Sequence, residues 1–255
     1  MYFWPMEIHQ FLDATYLKTA IQGGISEEKN LENVVELTQE AIQYQYKLVM
    51  IRAEYIPVVR DLLNQSNSKT LIGTVIGFHD GRATVSEKLK EAQKAIDLGA
   101  DELDFVLNYT AFKNGNLALI DEEIIQCTKL SLGNMKVAKW IIETAALTNE
   151  EIVVISQRIK ELVLTHFKQD AAQRVFVKSS TGFYCTENNE PNGATSENIP
   201  LIVGNAKPLQ VKAAGGVRDY QMAEKMIALG VDRIGTSSAK QICTQENTTT
   251  KNNLY

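Results

Sequence analysis

The chain has few cysteines and no long apolar run. Its 255 residues include three cysteines, Cys127, Cys185 and Cys243, whose spacing matches no metal site. We expect reduced thiols with no chemical role. No stretch reaches the length of a transmembrane helix, and residues 1–18 lack the basic and hydrophobic regions of a secretion signal. These absences predict a cytoplasmic protein without a membrane partner.

The charge balance is mildly acidic and excludes a further class of partner. The formal net charge of -5 argues against a general nucleic-acid binder, although it leaves room for a local basic pocket. Hydrophobic residues make up 44% and charged residues 22%, values typical of a globular protein. No linker-like change of composition divides the chain. We therefore predict one domain over residues 1–255, with a flexible polar tail at 244–255.

Apolar strand-like runs alternate along the chain with amphipathic helix-like runs. The predicted strands cover residues 11–14, 46–51, 70–77, 102–107, 137–142, 174–177, 209–213 and 231–235. The predicted helices cover residues 28–43, 57–63, 86–98, 120–132, 149–166 and 219–229. Strands that alternate with helices are parallel and are joined by right-handed crossovers.

This alternation favours an α/β fold, the (β/α)8 TIM barrel. The competing fold is a doubly wound open sheet, which would carry a glycine-rich phosphate loop after an early strand. Here the glycine signals come late, at Gly182, Gly215, Gly216 and Gly235. Barrels often hold phosphate groups in the loops that follow their last strands, so the late glycines favour the barrel.

Two lysines stand in short apolar runs of the C-terminal half. Lys178 ends the run RVFVK, and Lys212 lies in LQVKAA. Either lysine alone could extend from a strand end into solvent. Adjacent parallel strands lie roughly 4.8 Å apart, so two lysines at the same height would repel and one would lose its proton more easily. Because a neutral amine attacks carbonyl groups, the pair indicates an enzyme that forms a Schiff base.

An acidic side chain inside a third strand provides a partner for the lysines. Glu102 and Asp104 are two residues apart and so share one face of the strand, whereas Asp101 faces the other way. Asp104 lies between Leu103 and Phe105, and a buried acid needs a cation. Asp104 could relay protons through a water or form a structural ion pair. Lys139, on the next predicted strand, could face the same cavity and pair with Glu143.

The residues that follow these strands suggest a phosphate site. Glycines let backbone N–H groups approach an anion, and serines at a helix N-terminus add donors. Arg218 could add a charge or form a surface salt bridge. The predicted phosphate-binding residues are Gly182, Gly215, Gly216, Val217, Arg218, Gly235, Ser237 and Ser238.

An ordered set of motifs resembles the deoxyribose-phosphate aldolase family. The motifs are LDATYLK (12–18), GTVIGF (73–78), GADELDFVLN (99–108), KWIIET (139–144), FVKSSTGF (176–183), NGAT (192–195), KAAGGVR (212–218) and RIGTSS (233–238). The resemblance implies a class I aldolase on a TIM barrel that uses no metal and no cofactor. The implied substrates are a sugar phosphate, 2-deoxy-D-ribose 5-phosphate, and acetaldehyde. We also expect a homo-oligomer.

The resemblance also implies roles for individual residues. Lys178 would be the Schiff-base lysine, Lys212 would perturb its pKa and join the proton relay, and Asp104 would be the acid of that relay. Two alternatives stay open: a class I aldolase for another phosphorylated sugar, and a non-catalytic phosphate-binding barrel.

The chain departs from the family pattern in places. Ser179 replaces the threonine of KTSTG and keeps its hydroxyl, and a histidine and a proline of the first motif are missing. The loop 183–199 is long and polar, either a lid or a tolerated excursion. Some family members end in a tyrosine that reaches the active site, and this chain ends in Tyr255. The expected supporting residues are Asp13, Thr15, Lys139 and Tyr255.

Overall fold

Eight parallel strands close into a barrel in the order of the sequence. The computed structural model describes residues 7–187 and 191–252. The strands are β1 (Leu12–Thr15), β2 (Leu48–Ile51), β3 (Leu71–Ile76), β4 (Glu102–Val106), β5 (Val137–Ile141), β6 (Val175–Lys178), β7 (Gln210–Ala214) and β8 (Arg233–Thr236). Each strand pairs with the next, and β8 pairs with β1, so the predicted (β/α)8 barrel is confirmed.

Helices surround the barrel and connect its strands. They are α1 (Ala20–Gly23), α2 (Glu27–Tyr44), α3 (Ile56–Gln65), α4 (Val85–Asp97), α5 (Tyr109–Lys113), α6 (Leu117–Gly133), α7 (Asn149–His166), α8 (Asn198–Ala206), α9 (Tyr220–Ala228) and α10 (Ala239–Asn252). Several begin at the side chains that the sequence offers as caps. Thr84 and Thr148 each form a capping box with a glutamate three residues later, which starts α4 and α7.

Two helices lie where the sequence predicted loop or tail. Helix α8 begins inside the predicted loop 183–199 and is preceded by Thr195, whose Oγ1 accepts the N–H of Asn198 at 3.0 Å while its own N–H donates to Asn198 Oδ1 at 2.9 Å. This reciprocal pair resembles a capping box and is a start signal that was missed from the sequence. Helix α10 extends to Asn252, within the segment 244–255 that we predicted as a tail. Its polar composition gives a weak helical pattern. The flexibility of the tail stays a prediction, and Tyr255 lies outside the described residues.

Strand side chains divide between two environments. Outward residues such as Val49, Ile72 and Leu103 pack between the barrel and its helices. The inward side of β2 and β3 is apolar, where Leu48, Met50 and Val75 form a separate cluster. The inward side of the remaining strands carries ionised side chains, as the next subsection describes. The barrel interior is therefore apolar along β2 and β3 and carries ionised side chains along the other six strands.

A buried ion pair ties the end of β4 to the helices outside it. Lys88 of α4 has no exposed surface and contacts Glu123 of α6. Lys88 Nζ also donates to the carbonyl groups of Gly81 at 2.8 Å and Val106 at 2.7 Å. The other oxygen of Glu123 accepts the backbone N–H of Asn108 at 3.2 Å. The pair thus fixes the loop after β3 and the end of β4 together.

None of the helices formed by residues 7–187 and 191–252 is long and apolar enough to cross a bilayer.

Candidate active site

Asp104 lies at the centre of a buried cluster of lysines. Its Oδ2 atom accepts from Lys178 Nζ and from Lys212 Nζ, each at 2.8 Å, and its Oδ1 atom accepts from Lys139 Nζ at 2.9 Å. Lys178 pairs with Lys212 in the register of β6 and β7, which confirms that the two lysines stand at the same height. Each of the two amines lies 2.8 Å from one oxygen, so the two cannot be farther apart than twice that distance.

Asp13 and Glu102 extend this cluster across the barrel. Asp13 lies 2.6 Å from Lys212 Nζ and accepts from Arg233 Nε at 2.7 Å. Glu102 lies 2.5 Å from Lys139 Nζ and accepts from Arg233 Nη1 at 3.3 Å. Asp101 instead contacts Arg60, so the predicted split between the two faces of β4 is confirmed. Asp13, predicted as a supporting acid, is fully buried and pairs with three cations, Lys139, Lys212 and Arg233.

The ionised groups of the cluster do not balance when all are charged. Four cations face three carboxylates, which leaves one excess positive charge in a buried space. Such a charge is costly to bury, and loss of one proton removes the excess. The cations are Lys139, Lys178, Lys212 and Arg233, and the carboxylates are Asp13, Glu102 and Asp104.

The contacts indicate which amine gives up its proton. Burial lowers the pKa of Lys178 to about 8, with Asp104 opposing the shift and Lys212 adding to it. Lys178 touches one carboxylate, whereas Lys212 touches both Asp104 and Asp13. Burial also acts on Lys139, but Asp104, Glu102 and Asp13 outweigh it and raise its pKa above the usual value. The lowered pKa of Lys178 therefore brings a neutral amine within reach of neutral pH inside this cluster.

Asp104 remains ionised in this setting. Burial favours its protonated form, but Lys139, Lys178 and Lys212 outweigh burial and hold the pKa of Asp104 well below its usual value. The same balance applies to Asp13, where Arg233 is the strongest opposing charge and the pKa is again lowered. The cluster thus keeps fixed negative charges beside a lysine whose proton is labile.

The loop after Lys178 is held by its hydroxyl groups. Ser179 Oγ donates to the carbonyl of Ala214 and accepts the N–H of the same residue, both at 2.9 Å. Ser180 Oγ lies 2.9 Å from Thr144 Oγ1. The Ser179 hydroxyl therefore links the end of β6 to β7 through two hydrogen bonds.

A polar pocket of about 360 Å³ opens beyond β7. Gly215 and Gly216 adopt left-handed backbone angles, with φ of 84° at both. A side chain on Gly193 would overlap the backbone of Gly215, so only glycine permits this approach. The residues that line the pocket are Thr186, Pro191, Asn192, Gly193, Ala194, Gly215, Gly216 and Arg218. Three of the predicted phosphate-binding residues, Gly215, Gly216 and Arg218, are among them.

The other predicted phosphate residues occupy different positions. Gly182 has φ of 80°, and its carbonyl accepts from Asn192, which lines the pocket. Val217 is buried, and its carbonyl accepts from Thr236. Ser237 is exposed, and the N–H of Ser238 donates to Thr236 Oγ1. Their part in phosphate binding stays a prediction.

Gly235 also makes room for a neighbouring side chain, which was not predicted from the sequence. It lies within β8, where an added Cβ would come 3.0 Å from Lys212 Cε and 3.2 Å from Ala214 Cβ. The missing side chain therefore makes room for Lys212. Thr15, at the end of β1, donates to the carbonyl of Asp13 and is half-buried.

Aromatic rings cover the apolar side of the barrel mouth. Phe183, from the loop after β6, meets Phe78 edge to face with ring centroids 4.9 Å apart. Arg52 lies over the Phe78 ring at 4.8 Å, and the exposed His79 stacks on Phe183 at 6.0 Å. His79 thus lies in the loop after β3, at the barrel mouth. The first part of loop 183–199 packs over the mouth, whereas its behaviour as a lid stays untested.

Two residues of the buried cluster were not identified as site residues from the sequence, and one predicted ion pair was wrong. Arg233 was given no role, although it is two residues from Gly235 on the same strand and therefore also faces inward. Glu102 was predicted to face the same way as Asp104 but was given no role. Lys139 was expected to pair with Glu143. Instead Glu143 adopts a left-handed φ of 57°, and its Oε2 accepts from the N–H and hydroxyl of Thr181.

Comparison with known proteins finds relatives that share one description. The chain is 36% identical over 237 residues to a deoxyribose-phosphate aldolase of Clostridium kluyveri, covering 92% of this chain and 96% of the relative. It is 35% identical over 237 residues to that of Thermococcus kodakarensis, covering 92% and 95%. It is 39% identical over 215 residues to deoxyribose-phosphate aldolase 1 of Vibrio vulnificus, covering 84% and 89%. No family model matches.

Solved structures agree with these relatives. A structure described as QR15, an aldolase, matches with a TM-score of 0.77 and 30% identity, covering 98% of this chain and all of the other. A tetrameric deoxyribose phosphate aldolase of Aeropyrum pernix matches with a TM-score of 0.76 and 25% identity, covering 96% and 93%.

Proposed function

Because this chain belongs to the deoxyribose-phosphate aldolase family, we propose the reaction that its site carries out. The chain is a class I aldolase, a lyase that cleaves 2-deoxy-D-ribose 5-phosphate reversibly to acetaldehyde and D-glyceraldehyde 3-phosphate. One observation supports this most directly: two lysines share one oxygen of Asp104, and the pKa of Lys178 is about 8.

Lys178 is the nucleophile of this proposal. Its neutral amine attacks the C1 aldehyde of the open-chain sugar phosphate, and loss of water gives a protonated imine. The iminium at C1 accepts the electron pair of the carbon–carbon bond that breaks. That bond is C2–C3, rather than C3–C4, because acetaldehyde takes two carbons and glyceraldehyde 3-phosphate takes three. Cleavage leaves an enamine on Lys178, which is protonated at C2 and hydrolysed to acetaldehyde.

Asp104 and Lys212 move the protons of this sequence. The C3 hydroxyl must lose its proton as the C2–C3 bond breaks, and C2 must then gain one. Lys212 is 2.8 Å from Asp104 Oδ2, the same oxygen that contacts Lys178, so a proton can pass between these groups directly or through a water. Lys212 also keeps a positive charge beside Lys178, which favours the neutral amine at the start of the cycle.

The pocket beyond β7 is the proposed phosphate site. The glycine backbone at 215 and 216 can approach an anion closely, and Arg218 adds a positive charge. Gly182, Val217, Gly235, Ser237 and Ser238 are the further residues proposed for it. We propose Asp13, Thr15 and Lys139 as supporting residues that hold the lysine cluster in place.

No metal and no separate cofactor is needed for this proposal, because the imine on Lys178 serves as the electron sink. The inward carboxylates that might otherwise attract a cation are already neutralised by lysine and arginine side chains. We further propose a cytoplasmic homo-oligomer, acting on small molecules and on neither nucleic acid nor membrane. The support for an oligomer is that a structurally similar aldolase is described as tetrameric.

Reductive trapping tests the proposal. The purified protein is incubated with acetaldehyde and borohydride, digested, and analysed by peptide mass spectrometry. An ethyl group on Lys178 alone is expected, with no adduct in Lys178→Met. Lys240→Met, which removes an exposed lysine, is the matched control and should still be labelled at Lys178. An adduct on Lys139 or Lys212, or none, would overturn the assignment. Turnover of 2-deoxy-D-ribose 5-phosphate, compared with other sugar phosphates, tests the substrate.

A further inference from the structure

Glu143 is a buried carboxyl group that the proposed mechanism does not use. It follows β5 at the barrel mouth and is 1% exposed. The N–H groups of its two chain neighbours, Ile142 and Thr144, donate to the carbonyls of Lys178 and Ser179 at 3.0 and 2.9 Å. The backbone of Glu143 is thereby fixed alongside the Schiff-base lysine of the proposed function.

The two oxygens of Glu143 have different surroundings. Oε2 accepts the backbone N–H of Thr181 at 3.2 Å and also accepts the Thr181 hydroxyl. Oε1 is buried and makes no hydrogen bond within residues 7–187 and 191–252. A buried acceptor without a donor is unfavourable, so an unpaired carboxylate oxygen in a native site calls for a ligand that donates to it.

The backbone at Glu143 gives an independent indication. Its φ of 57° lies in the left-handed region, which disfavours any residue with a Cβ and suits glycine. A glutamate kept in such a conformation at a site suggests that the side chain has a use there. Burial raises the pKa of Glu143, opposed by Thr181, Ser180 and the charge of Lys178, which agrees with a carboxyl group close to the reacting lysine.

The position of Glu143 matches one part of the substrate. In the proposed function, C1 is bonded to Lys178 and the phosphate on C5 lies near Gly182 and Gly215. Thr181, which holds Glu143, stands between Lys178 and Gly182 in the chain, and on this ground we place the carboxyl group between the two ends of the substrate. In the proposed mechanism, Asp104 and Lys212 move the proton of the C3 hydroxyl. The proposed mechanism assigns no residue to the C4 hydroxyl.

We propose that Glu143 binds the substrate directly, with Oε1 accepting a hydrogen bond from the C4 hydroxyl of the sugar phosphate. That hydroxyl is the C2 hydroxyl of glyceraldehyde 3-phosphate, so Glu143 selects acceptor aldehydes that carry a hydroxyl beside the carbonyl. This inference rests on the proposed function and names a specificity residue for it. A site that hydrogen-bonds a substrate hydroxyl discriminates strongly against the analogue that lacks it.

A pair of acceptors tests the inference. Condensation of acetaldehyde is measured with D-glyceraldehyde 3-phosphate and with 3-oxopropyl phosphate, which lacks only the hydroxyl in question. The readout is the ratio of the two kcat/KM values. Wild type should prefer glyceraldehyde 3-phosphate, and Glu143→Gly should reduce that preference by about tenfold or more, because a charge-assisted hydrogen bond is lost. Glycine is chosen because it suits the left-handed backbone.

Controls separate binding from a structural role. Glu91→Ala removes another carboxylate that holds a loop amide, that of Gly77, and should leave the ratio unchanged. Trapping of acetaldehyde on Lys178, which involves no acceptor, should persist in Glu143→Gly. Loss of trapping in that variant would show that Glu143 acts on the lysine, and would overturn the inference.

The remaining outcomes are distinct. If wild type condenses neither acceptor, the proposed function fails and the inference fails with it. If wild type is active and Glu143→Gly loses activity equally with both acceptors, the inference alone fails. Should Glu143→Gly not fold, Glu143→Gln keeps the size of the side chain with a neutral amide. Its ratio should fall by a smaller factor, and an unchanged ratio would count against the inference.

Discussion

The charges on either side of Lys178 should move its titration in opposite directions. Lys212→Met removes a cation that lowers the pKa of Lys178, and Asp104→Asn removes the anion that raises it. Both substitutions should reduce aldolase turnover, since both residues belong to the proposed proton relay. The pH at which Lys178 becomes reactive should nevertheless rise in the first variant and fall in the second.

The size of the expected pKa change in Lys212→Met follows from the distance between the Lys178 and Lys212 amines. The two amines are at most twice 2.8 Å apart, since both contact Asp104 Oδ2. At that separation two unit charges repel by about 3 kcal/mol at an effective dielectric constant of about 20. This corresponds to about two powers of ten in the fraction of neutral amine. Burial is the largest cause of the lowered pKa. Lys212→Met should therefore lower the neutral fraction at pH 7 by about tenfold to a hundredfold.

The assay is the rate of acetaldehyde trapping by cyanoborohydride as a function of pH. Trapping reports the reactivity of the Lys178 amine without requiring carbon–carbon cleavage. In wild type the rate should rise with pH through a midpoint near 8, because the neutral amine is the reactive form. The surface variant Lys240→Met is the control and should keep that midpoint. Midpoints near 8 in all variants would show that burial alone sets the pKa, and a shift in the same direction for both would refute the charge argument.

Two further predictions concern stability. Lys178→Met should be more stable than wild type at pH 7 by roughly 3 kcal/mol, because the lowered pKa of about 8 opposes folding below that pH. The difference should shrink as the pH rises toward 10, and equal melting temperatures at pH 7 would contradict it. Lys88→Met should destabilise by about 3–5 kcal/mol because Glu123 is left as an unpaired buried charge. Denaturant unfolding of the single and the Lys88→Met/Glu123→Leu double variant tests this, since the double variant should recover part of the loss.

Local sequence patterns were enough for the barrel and for its central residues. Alternating strand and helix patterns predicted all eight strands, and the shared height of Lys178 and Lys212 follows from parallel register. The direction of Asp104 follows from the two-residue period of a strand. These inferences need only the nearest residues and one rule about neighbouring strands.

Contacts between distant parts of the chain could not be predicted in the same way. Asp13 and Arg233 are 220 residues apart, and their contact depends on closure of β1 against β8. The partner of Glu143 depends on a left-handed backbone angle that no local pattern signals at a glutamate.

The two glycines inside strands, Gly73 and Gly235, differ in how readily a larger residue could replace them. Each leaves space that a long side chain of the preceding strand fills: a Cβ on Gly73 would come 2.5 Å from Met50 Cε, and one on Gly235 would come 3.0 Å from Lys212 Cε. A larger residue at 73 can be accommodated by a shorter one at 50, so that position can change through paired substitutions. Position 235 has no such route if Lys212 acts as proposed, because the compensating change would remove an amine of the proposed proton relay.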